Sequence, residues 1–315
     1  MDVSSYNSPQ RGKENKKGKS FMKTEFIVSS NEKGQRIDIW LSKKISPPSR
    51  KEAKRLLNNG AVYVNGKRIY IASWELKPRD RVEVREAKTA QYGTGHVKVI
   101  YEDRDIIVVD KPAGILSAGD EKGLRQNMAS LVRGYLRRKY QGASYLKPVH
   151  RLDAETSGVM VFSKSKKGDG LEEQFKQHKI ERRYLAIVSG RIRDESGTIR
   201  TPLEKGAFEG GRKSRASPEG KKAVTEYRVK ERYANATLLE LRVLTGRTHQ
   251  IRVHLSHMGY PIIGDKLYGG EMLLPRHALH AHRLGFAHPA TGKWMTWESP
   301  PPHDLAEFID RMRGY

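Results

Sequence analysis

The sequence predicts an α+β protein built of two units. Three observations carry the prediction. The chain has 315 residues, more than one domain of ordinary size, about 100–200 residues, requires. Two helical patterns followed by short alternating strands occupy residues 35–86. Beyond a stretch of turn-forming and small residues, apolar strand segments alternate with shorter helical ones to the C-terminus.

Residues 1–22 are rich in Lys, Ser, Asn and Gly and hold few large apolar side chains. They cannot bury enough surface to offset their ordering entropy, so a disordered basic tail is expected. The first folded unit is expected over residues 23–90. Ile37, Ile39, Trp40 and Leu41 open an amphipathic helix. A second helix begins near Ser49, whose hydroxyl can cap it, runs through SRKEAKRLLNNG and stops at Gly60. Its basic residues Arg50, Lys51, Lys54 and Arg55 share one face. In AVYVNGKRIY the Asn65-Gly66 pair marks a tight turn between two strands, with Lys67 and Arg68 just beyond it. RVEV at 81–84 adds another strand.

AKTAQYGTGH, residues 87–96, lacks periodicity and marks the linker, whose core is placed at 91–96. The second unit is expected over 97–315. VKVIYEDRDIIVVDKPAG contains two strands, ended by Pro112 and Gly114. Residues 125–140 look helical and basic. Strands are expected in VMVFSKS, RRYLAIVSG, TEYRVKERY and ATLLELRVL, and helices at 171–178, 248–258 and 304–313. The Gly/Lys/Arg-rich segment 204–222 is expected to be a long basic loop, of the kind that is functional, closing on a ligand, or disordered.

Charge narrows the function classes. Sixty Lys/Arg face 36 Asp/Glu, a net charge of +24, with pI ≈ 10.0. The first 90 residues hold 21 basic and 10 acidic residues, an excess of 11. A field of this sign draws polyanions. A solubilising surface or an acidic membrane would also suit it, but an excess this large belongs to the usual nucleic-acid footprint. The absence of cysteine excludes disulfides, thiolate catalysis and thiolate zinc sites. No apolar run approaches the ~20 residues of a membrane-spanning helix. The polar N-terminal segment lacks the apolar stretch of a secretory signal. A cytoplasmic location is expected.

The sharpest string is HRLDAETSGVMVFSKS, residues 150–165. An aspartate beside an arginine is ordinarily a cap or an ion-pair partner. Here YEDRDIIVVDKPAGIL precedes it at 101–116, and ERRYLAIVSG at 181–190 and TGRTHQIRVHLSHMGYPIIGDKLYG at 245–269 follow. In order and spacing these strings resemble the RluA family of RNA pseudouridine synthases, over residues 97–300. RIDIWL, SRKEAKRLLNNGAVYVNGKRI and LKPRDRVEV likewise resemble the S4 RNA-binding domain, an αL-type module. The resemblance implies a small S4-like unit followed by a domain with a mixed, largely antiparallel sheet around a basic cleft. It also implies isomerisation of uridine to pseudouridine in RNA, without cofactor or metal.

Residue by residue, the resemblance makes Asp153 the catalytic carboxylate. Tyr184 becomes the aromatic platform for the target base, and Arg252 the partner that positions Asp153. Arg151 matches the arginine that fills the space left by a flipped uridine. His150, Arg247 and Gln250 are expected to contact substrate. Arg50, Lys51, Lys54, Arg55, Lys67 and Arg68 are expected to hold RNA phosphates. For His249 and His254, ordinary hydrogen-bonded structural roles are expected, and no HExxH string suggests a metal.

Residue types and chemistry agree. A carboxylate can attack C1′ or remove a proton from C2′, provided a partner fixes it in its anionic form. An aromatic face is worth about 1–3 kcal/mol to an extruded base. RNA is the expected partner, with large-subunit ribosomal RNA favoured over transfer RNA because relatives carrying the S4-like domain act there. No membrane or obligate protein partner is implied. A non-catalytic RNA-binding or ribosome-assembly protein is the competing reading, and the joint presence of Asp153, Tyr184 and Arg252 argues against it. One departure stands out. The histidine-proline pair common after the family's KPAG-x-L string is missing from KPAGILSAGDEKGLRQN, so substrate contacts of that loop do not transfer.

Overall fold

The computed structural model describes residues 24–58, 61–69, 72–85, 97–119, 127–142, 145–208 and 211–314. The expected tail (1–22), the linker (91–96) and the helix stop at Gly60 lie outside them, as do the side chains of Arg55, Lys67 and Arg68. The chain divides into two compact units, residues 1–89 and 90–315.

The first unit runs β1 (Thr24–Ile27), α1 (Ile37–Lys44), α2 (Arg50–Asn58), β2 (Val62–Val64), β3 (Lys67–Arg68) and β4 (Arg81–Val84). Its sheet is antiparallel, in the order β1-β4-β2-β3. Trp40 and Leu41 of α1, Ala53 and Leu57 of α2, and Val62, Val64 and Val82 of the sheet form its core. Ser49 does cap α2: its Oγ accepts from Glu52 N at 3.2 Å. Asn65 (φ 50°) and Gly66 (φ 78°) both take the left-handed conformation that a two-residue hairpin turn requires. The Asn65 side chain then ties the turn to β4, donating to Asp80 Oδ1 at 2.8 Å and accepting from Arg81 N at 2.9 Å.

The second unit opens with β5 (Lys98–Glu102), β6 (Ile106–Lys111), α3 (Met128–Tyr140), β7 (Lys147–Pro148), β8 (Ser157–Ser163) and α4 (Gly170–Lys176). It continues through β9 (Glu181–Ser189), β10 (Ser196–Ile199), β11 (Leu203–Phe208), β12 (Gly211–Ala216), β13 (Thr225–Arg232) and β14 (Ala236–Val243). α5 (Gln250–His257), β15 (Leu279–Ala287), β16 (Trp294–Glu298) and α6 (His303–Arg313) complete it. A ten-stranded sheet follows the path β10-β13-β14-β9-β15-β8-β6-β5, with β16 beside β15 and β7 beside β8. The β15–β8 pair is parallel and its neighbours are antiparallel, which makes the sheet mixed and largely antiparallel.

Every residue of β6 and β8 is buried, as expected of strands covered on both faces. On one face Val132 and Leu136 of α3 pack on Ile107, Val109, Met160 and Phe162. On the other, Leu171 of α4 meets Val108, Val161, Phe286 and Trp297. Ile251 and Leu255 of α5, with Leu305, Phe308 and Ile309 of α6, cover β9 and β14. Gly158 makes the parallel pairing possible. It sits at φ 121°, and a Cβ there would lie 2.2 Å from the Ala281 carbonyl oxygen of β15.

One expectation needs correction. Most of the segment 204–222 is not a loop but the hairpin β11–β12, in register from Leu203↔Ala216 to Phe208↔Gly211. Glu204 and Arg215 face each other across it, with an ion pair at 3.0 Å. Such cross-strand pairs support a hairpin without an apolar alternation.

Candidate active site

Asp153 lies in the connection between β7 and β8, and that connection is fastened at every step. The Lys111 ammonium, fully buried at the end of β6, donates to the carbonyls of Pro112, Ile115 and Ala154 at 2.8–2.9 Å. Gly114 N also donates to Ala154 O. Ser117 and Leu152 bond reciprocally, Oγ to carbonyl at 2.7 Å and N–H to Oγ at 2.9 Å. Arg276 donates to Glu155 O at 3.1 Å, and Thr156 Oγ1 meets His277 Nε2 at 2.8 Å. The DKPAG and HRLDAETSG strings are therefore two halves of one cradle. Burial pushes the Lys111 pKa down to about 7, against the pull of Glu155.

Arg252, in the first turn of α5, reaches Asp153 from the far side. Its Nη1 donates to Asp153 Oδ2 at 3.1 Å. Its Nε and Nη2 make a bidentate pair with Asp265, at 2.7 and 2.9 Å. Asp265 is buried and also accepts from the backbone of Leu267 and Tyr268. Burial works against the charged form of both partners. Their mutual hydrogen bonds and charge attraction together outweigh it, holding the Arg252 pKa above and the Asp265 pKa below their ordinary values. The Tyr268 ring lies 4.9 Å from the guanidinium, a cation–π distance.

A cleft opens over this pair. Its walls include Leu116–Gly119, His150–Glu155, His249, Arg252 and His277. The Asp153 side chain is about one-quarter exposed, at 28%. Another hollow lies between Arg183, Tyr227 and Arg242 on the sheet and contains none of these groups; the chemistry places the site in the first. Among the described residues, no group of three or more His, Asp or Glu comes together to hold a metal ion.

The other residues singled out in the sequence fall in three classes. Arg151 is exposed on the cleft and His150 lines it, although the His150 ring is committed to the fold. It stacks on Phe175 at 4.6 Å, its Nε2 accepts from Val161 N, and burial drives its pKa down to about 3. Tyr184 is not on the cleft wall. It is half-buried between two apolar clusters, and its hydroxyl pKa is raised by burial first, with Asp153 near enough to add to the shift. Arg247 is not among the residues lining the cleft, and its Nε donates to Lys222 O at 3.0 Å.

Gln250 corrects the expectation of a substrate contact. It is buried and fully bonded: Oε1 accepts from Thr245 Oγ1 and Arg247 N, and Nε2 donates to Val224 O and Thr225 Oγ1. No hydrogen-bonding capacity is left for a ligand. His254 matches its expected structural role, bonded to Thr225 Oγ1 and Thr201 O. His249 is hydrogen-bonded as expected, Nδ1 to Tyr268 Oη at 2.9 Å, and it also stands near the carboxylate, with Nε2 3.7 Å from Asp153 Oδ2. Its φ of 54°, rare outside glycine, was invisible in the sequence. Asp265, Tyr268 and Lys111 were also missed, although all three sit in the strings that carried the resemblance.

In the first unit, Lys51 and Lys54 are exposed. Arg50 is tied down instead, donating from Nε and Nη2 to the buried Asp38 at 3.2 and 3.1 Å. The expected roles of Arg55, Lys67 and Arg68 fall on side chains outside the described residues.

With fold and site in hand, comparison with known proteins gives a consistent result. The family model described as RNA pseudouridylate synthase matches residues 105–257, and that of the S4 domain matches residues 35–82. Ribosomal large subunit pseudouridine synthase C of Escherichia coli (strain K12) is 34% identical over 323 residues, spanning 93% of this chain and 99% of that protein. RNA pseudouridine synthase YlyB of Bacillus subtilis (strain 168) is 33% identical over 302 residues, 92% of this chain and 98% of its own. In fold, the human protein RNA Pseudouridylate Synthase Domain Containing 4 aligns with a TM-score of 0.58 at 23% identity, covering 69% of this chain and 93% of that one.

By these matches the two-unit α+β chain is an RNA-modifying isomerase by class. The chain belongs to the RluA-type RNA pseudouridine synthases that carry an N-terminal S4 domain.

Proposed function

We propose that this synthase isomerises uridine in large-subunit ribosomal RNA, and that Asp153 carries out the covalent step on a nucleotide turned out of its stack. One observation carries the chemical part. Asp153 Oδ2 stands at the cleft and is gripped by Arg252 Nη1, whose remaining nitrogens are locked by Asp265. A preorganised carboxylate of this kind adds little reorganisation to the reaction barrier. The S4 match and the E. coli relative, a ribosomal large subunit pseudouridine synthase, support the ribosomal target.

In this reading the C1′–N1 bond breaks with its electron pair leaving on uracil. Asp153 either bonds to C1′ or takes the C2′ proton. The freed base turns, and C5 bonds to C1′ as the Asp153–C1′ bond breaks or, on the other route, as Asp153 returns the proton to C2′; C5 then loses its proton and N1 gains one. Every atom is retained and no redox partner enters. Arg151, exposed on the cleft, fills the gap left by the everted base. Tyr184 stacks on uracil once the entering nucleotide uncovers its ring. Residues 23–90 serve as the RNA-binding unit and 97–315 as the catalytic one, with phosphates held by the exposed lysines of α2. Among the described residues no helix is long and apolar enough to cross a membrane, and the reading places the protein with ribosomal RNA in the cytoplasm.

The test is carbodiimide mapping of pseudouridine in RNA from cells with and without the gene, complemented by the wild type or by Asp153→Asn. The expected result is loss of signal at a large-subunit position, restored by the wild type alone. Loss confined to transfer RNA would overturn the ribosomal target. Restoration by Asp153→Asn would overturn the role of Asp153.

A further inference from the structure

His249 makes a contact that the isomerase reading leaves unused. The hairpin strand β12 presents the Ser214 backbone to the Tyr268 hydroxyl. Ser214 N donates to Tyr268 Oη at 3.1 Å, and the tyrosine O–H donates to the Ser214 carbonyl at 3.0 Å. That uses the single tyrosine proton. His249 Nδ1, 2.9 Å from the same oxygen, is therefore the donor in that contact. The opposite assignment would leave Ser214 O and Tyr268 Oη facing each other at 3.0 Å without a proton. It would give His249 nothing in return but a 3.7 Å approach to Asp153. With its proton on Nδ1, the neutral ring carries its lone pair on Nε2. Burial keeps the His249 pKa below the ordinary histidine value, the nearby Asp153 charge opposing this only in part.

The cleft thus presents two acceptors side by side, His249 Nε2 and Asp153 Oδ2, 3.7 Å apart. Among the described residues none donates to that nitrogen. A donor entering with the substrate fits between them. Asp153 works at C1′ or at the C2′ proton, and the 2′-hydroxyl hangs from C2′ itself. It is the substrate donor nearest the carboxylate.

We propose that His249 Nε2 accepts the 2′-hydroxyl proton of the everted nucleotide and makes the site selective for ribose over deoxyribose. The inference rests on the isomerase reading and adds to it a sugar-recognition residue, held in one tautomer by Tyr268 and the hairpin. The 2′-hydroxyl is the group by which a protein tells RNA from DNA at a single position.

The experiment uses the full chain and a synthetic RNA hairpin copying the uridine mapped as above, made with either a 2′-hydroxyl or a 2′-hydrogen at that uridine alone. For the wild type, removing the hydroxyl lowers kcat/KM about 30-fold, the effect of leaving a buried acceptor unpaired. His249→Ala loses a similar factor on the ribose substrate and discriminates between the two sugars less than about threefold. Tyr268→Phe keeps the ring beside Arg252 and removes the hydroxyl that sets the tautomer; it also loses most of the discrimination. Circular dichroism and melting curves identify any variant that fails to fold, and the remaining variant then decides. Undiminished discrimination in folded His249→Ala, or none in the wild type, overturns the inference while leaving the isomerase intact. A wild type that modifies neither RNA overturns the isomerase reading, and the inference with it.

Discussion

Arg252 and Asp265 form a buried bidentate pair, at 2.7 and 2.9 Å, that leaves one guanidinium nitrogen for Asp153. The geometry separates two tasks. Asp265 fixes the plane of the guanidinium and offsets its charge, and Nη1 is left to donate to the Asp153 carboxylate. Replacing Asp265→Asn keeps the shape but removes the charge, leaving a buried cation with Asp153 as its one anionic neighbour among the described residues. We expect a stability loss of about 3 kcal/mol and a fall in kcat of about 100-fold, with KM nearly unchanged. Arg252→Lys cannot span both carboxylates and should lower kcat at least as far. Urea melts and single-turnover assays check both.

Lys111 supports the other half of the site. Its ammonium holds three backbone carbonyls from two loops, one of them Ala154 O next to Asp153. Lys111→Met preserves much of the volume, removes the ammonium from the Pro112 and Ile115 carbonyls and leaves Ala154 O with Gly114 N alone. The expected cost is about 3 kcal/mol, with a fall in kcat as the Asp153 connection loosens. Hydrogen exchange should show faster opening of residues 112–117 and 153–156 while the first unit is unchanged.

Acid should weaken the second unit well before its carboxylates titrate. His150 and His277 are held neutral by burial down to about 3, and His280 down to about 4, against 6.5 for an exposed histidine. Between those values the unfolded chain binds protons that the folded chain refuses, so stability rises with pH across the window and is fully present above 6.5. Each group removes up to about 1.4 kcal/mol per pH unit as the pH falls through it. Denaturant melts at pH 7.0 and 5.5 should differ by several kcal/mol. Equal stabilities would show that one or more of these rings charges in the folded state.

These histidines also explain what the sequence concealed. β15, a central strand, reads LHAHRLGFA, and its polar letters break every apolar pattern. In the fold His280 is buried because Ser157 Oγ and Ser299 O bond its two nitrogens. Both partners lie far away in the chain, so the residue counts as polar in any local window. The hairpin β11–β12 was hidden for a similar reason: a glycine-rich basic stretch is held by the Glu204–Arg215 pair and by the Ser214–Tyr268 bonds, not by alternation. Where signals were local they could be read directly. The Ser49 cap, the Asn65-Gly66 turn and the apolar run of β6 all appear at the expected residues.

The site was legible to the same limit. Asp153 and Arg252, 99 positions apart in sequence, meet at 3.1 Å, an encounter that family resemblance supplied and no spacing rule could. Gln250 and His249 are adjacent in one string and have opposite fates. A helix start places Gln250 among Val224, Thr225 and Thr245 and turns His249 toward Asp153.

Gly158→Ala tests the parallel strand pair directly. The added methyl would lie 2.2 Å from Ala281 O, at a φ of 121° that side chains rarely adopt. Strain and clash together should cost more than about 3 kcal/mol. They should also shift β8, and with it the connection bearing Asp153. The variant should be recovered unfolded or inactive, while Gly66→Ala, which meets no atom within 4 Å, should lose only about 1 kcal/mol.

The helix α2 separates binding cations from structural ones. Lys51, Lys54 and Arg50 are all exposed, but the Arg50 guanidinium joins Arg36 in bonding Asp38, whose side chain is fully buried. Each lysine that neutralises a phosphate should contribute about 0.7–0.9 to the slope of log affinity against log salt. Lys51→Ala with Lys54→Ala should therefore weaken RNA binding and flatten that slope by about 1.5, with the melting temperature unchanged. Arg50→Ala should do the reverse. Asp38 keeps Arg36 but loses half of its countercharge, which lowers stability by about 1 kcal/mol, and the salt slope stays near that of the wild type. Filter binding between 50 and roughly 300 mM salt, where the phosphate contribution is large, distinguishes the two patterns. A steep loss of slope in Arg50→Ala would place that guanidinium on RNA despite its bond to Asp38.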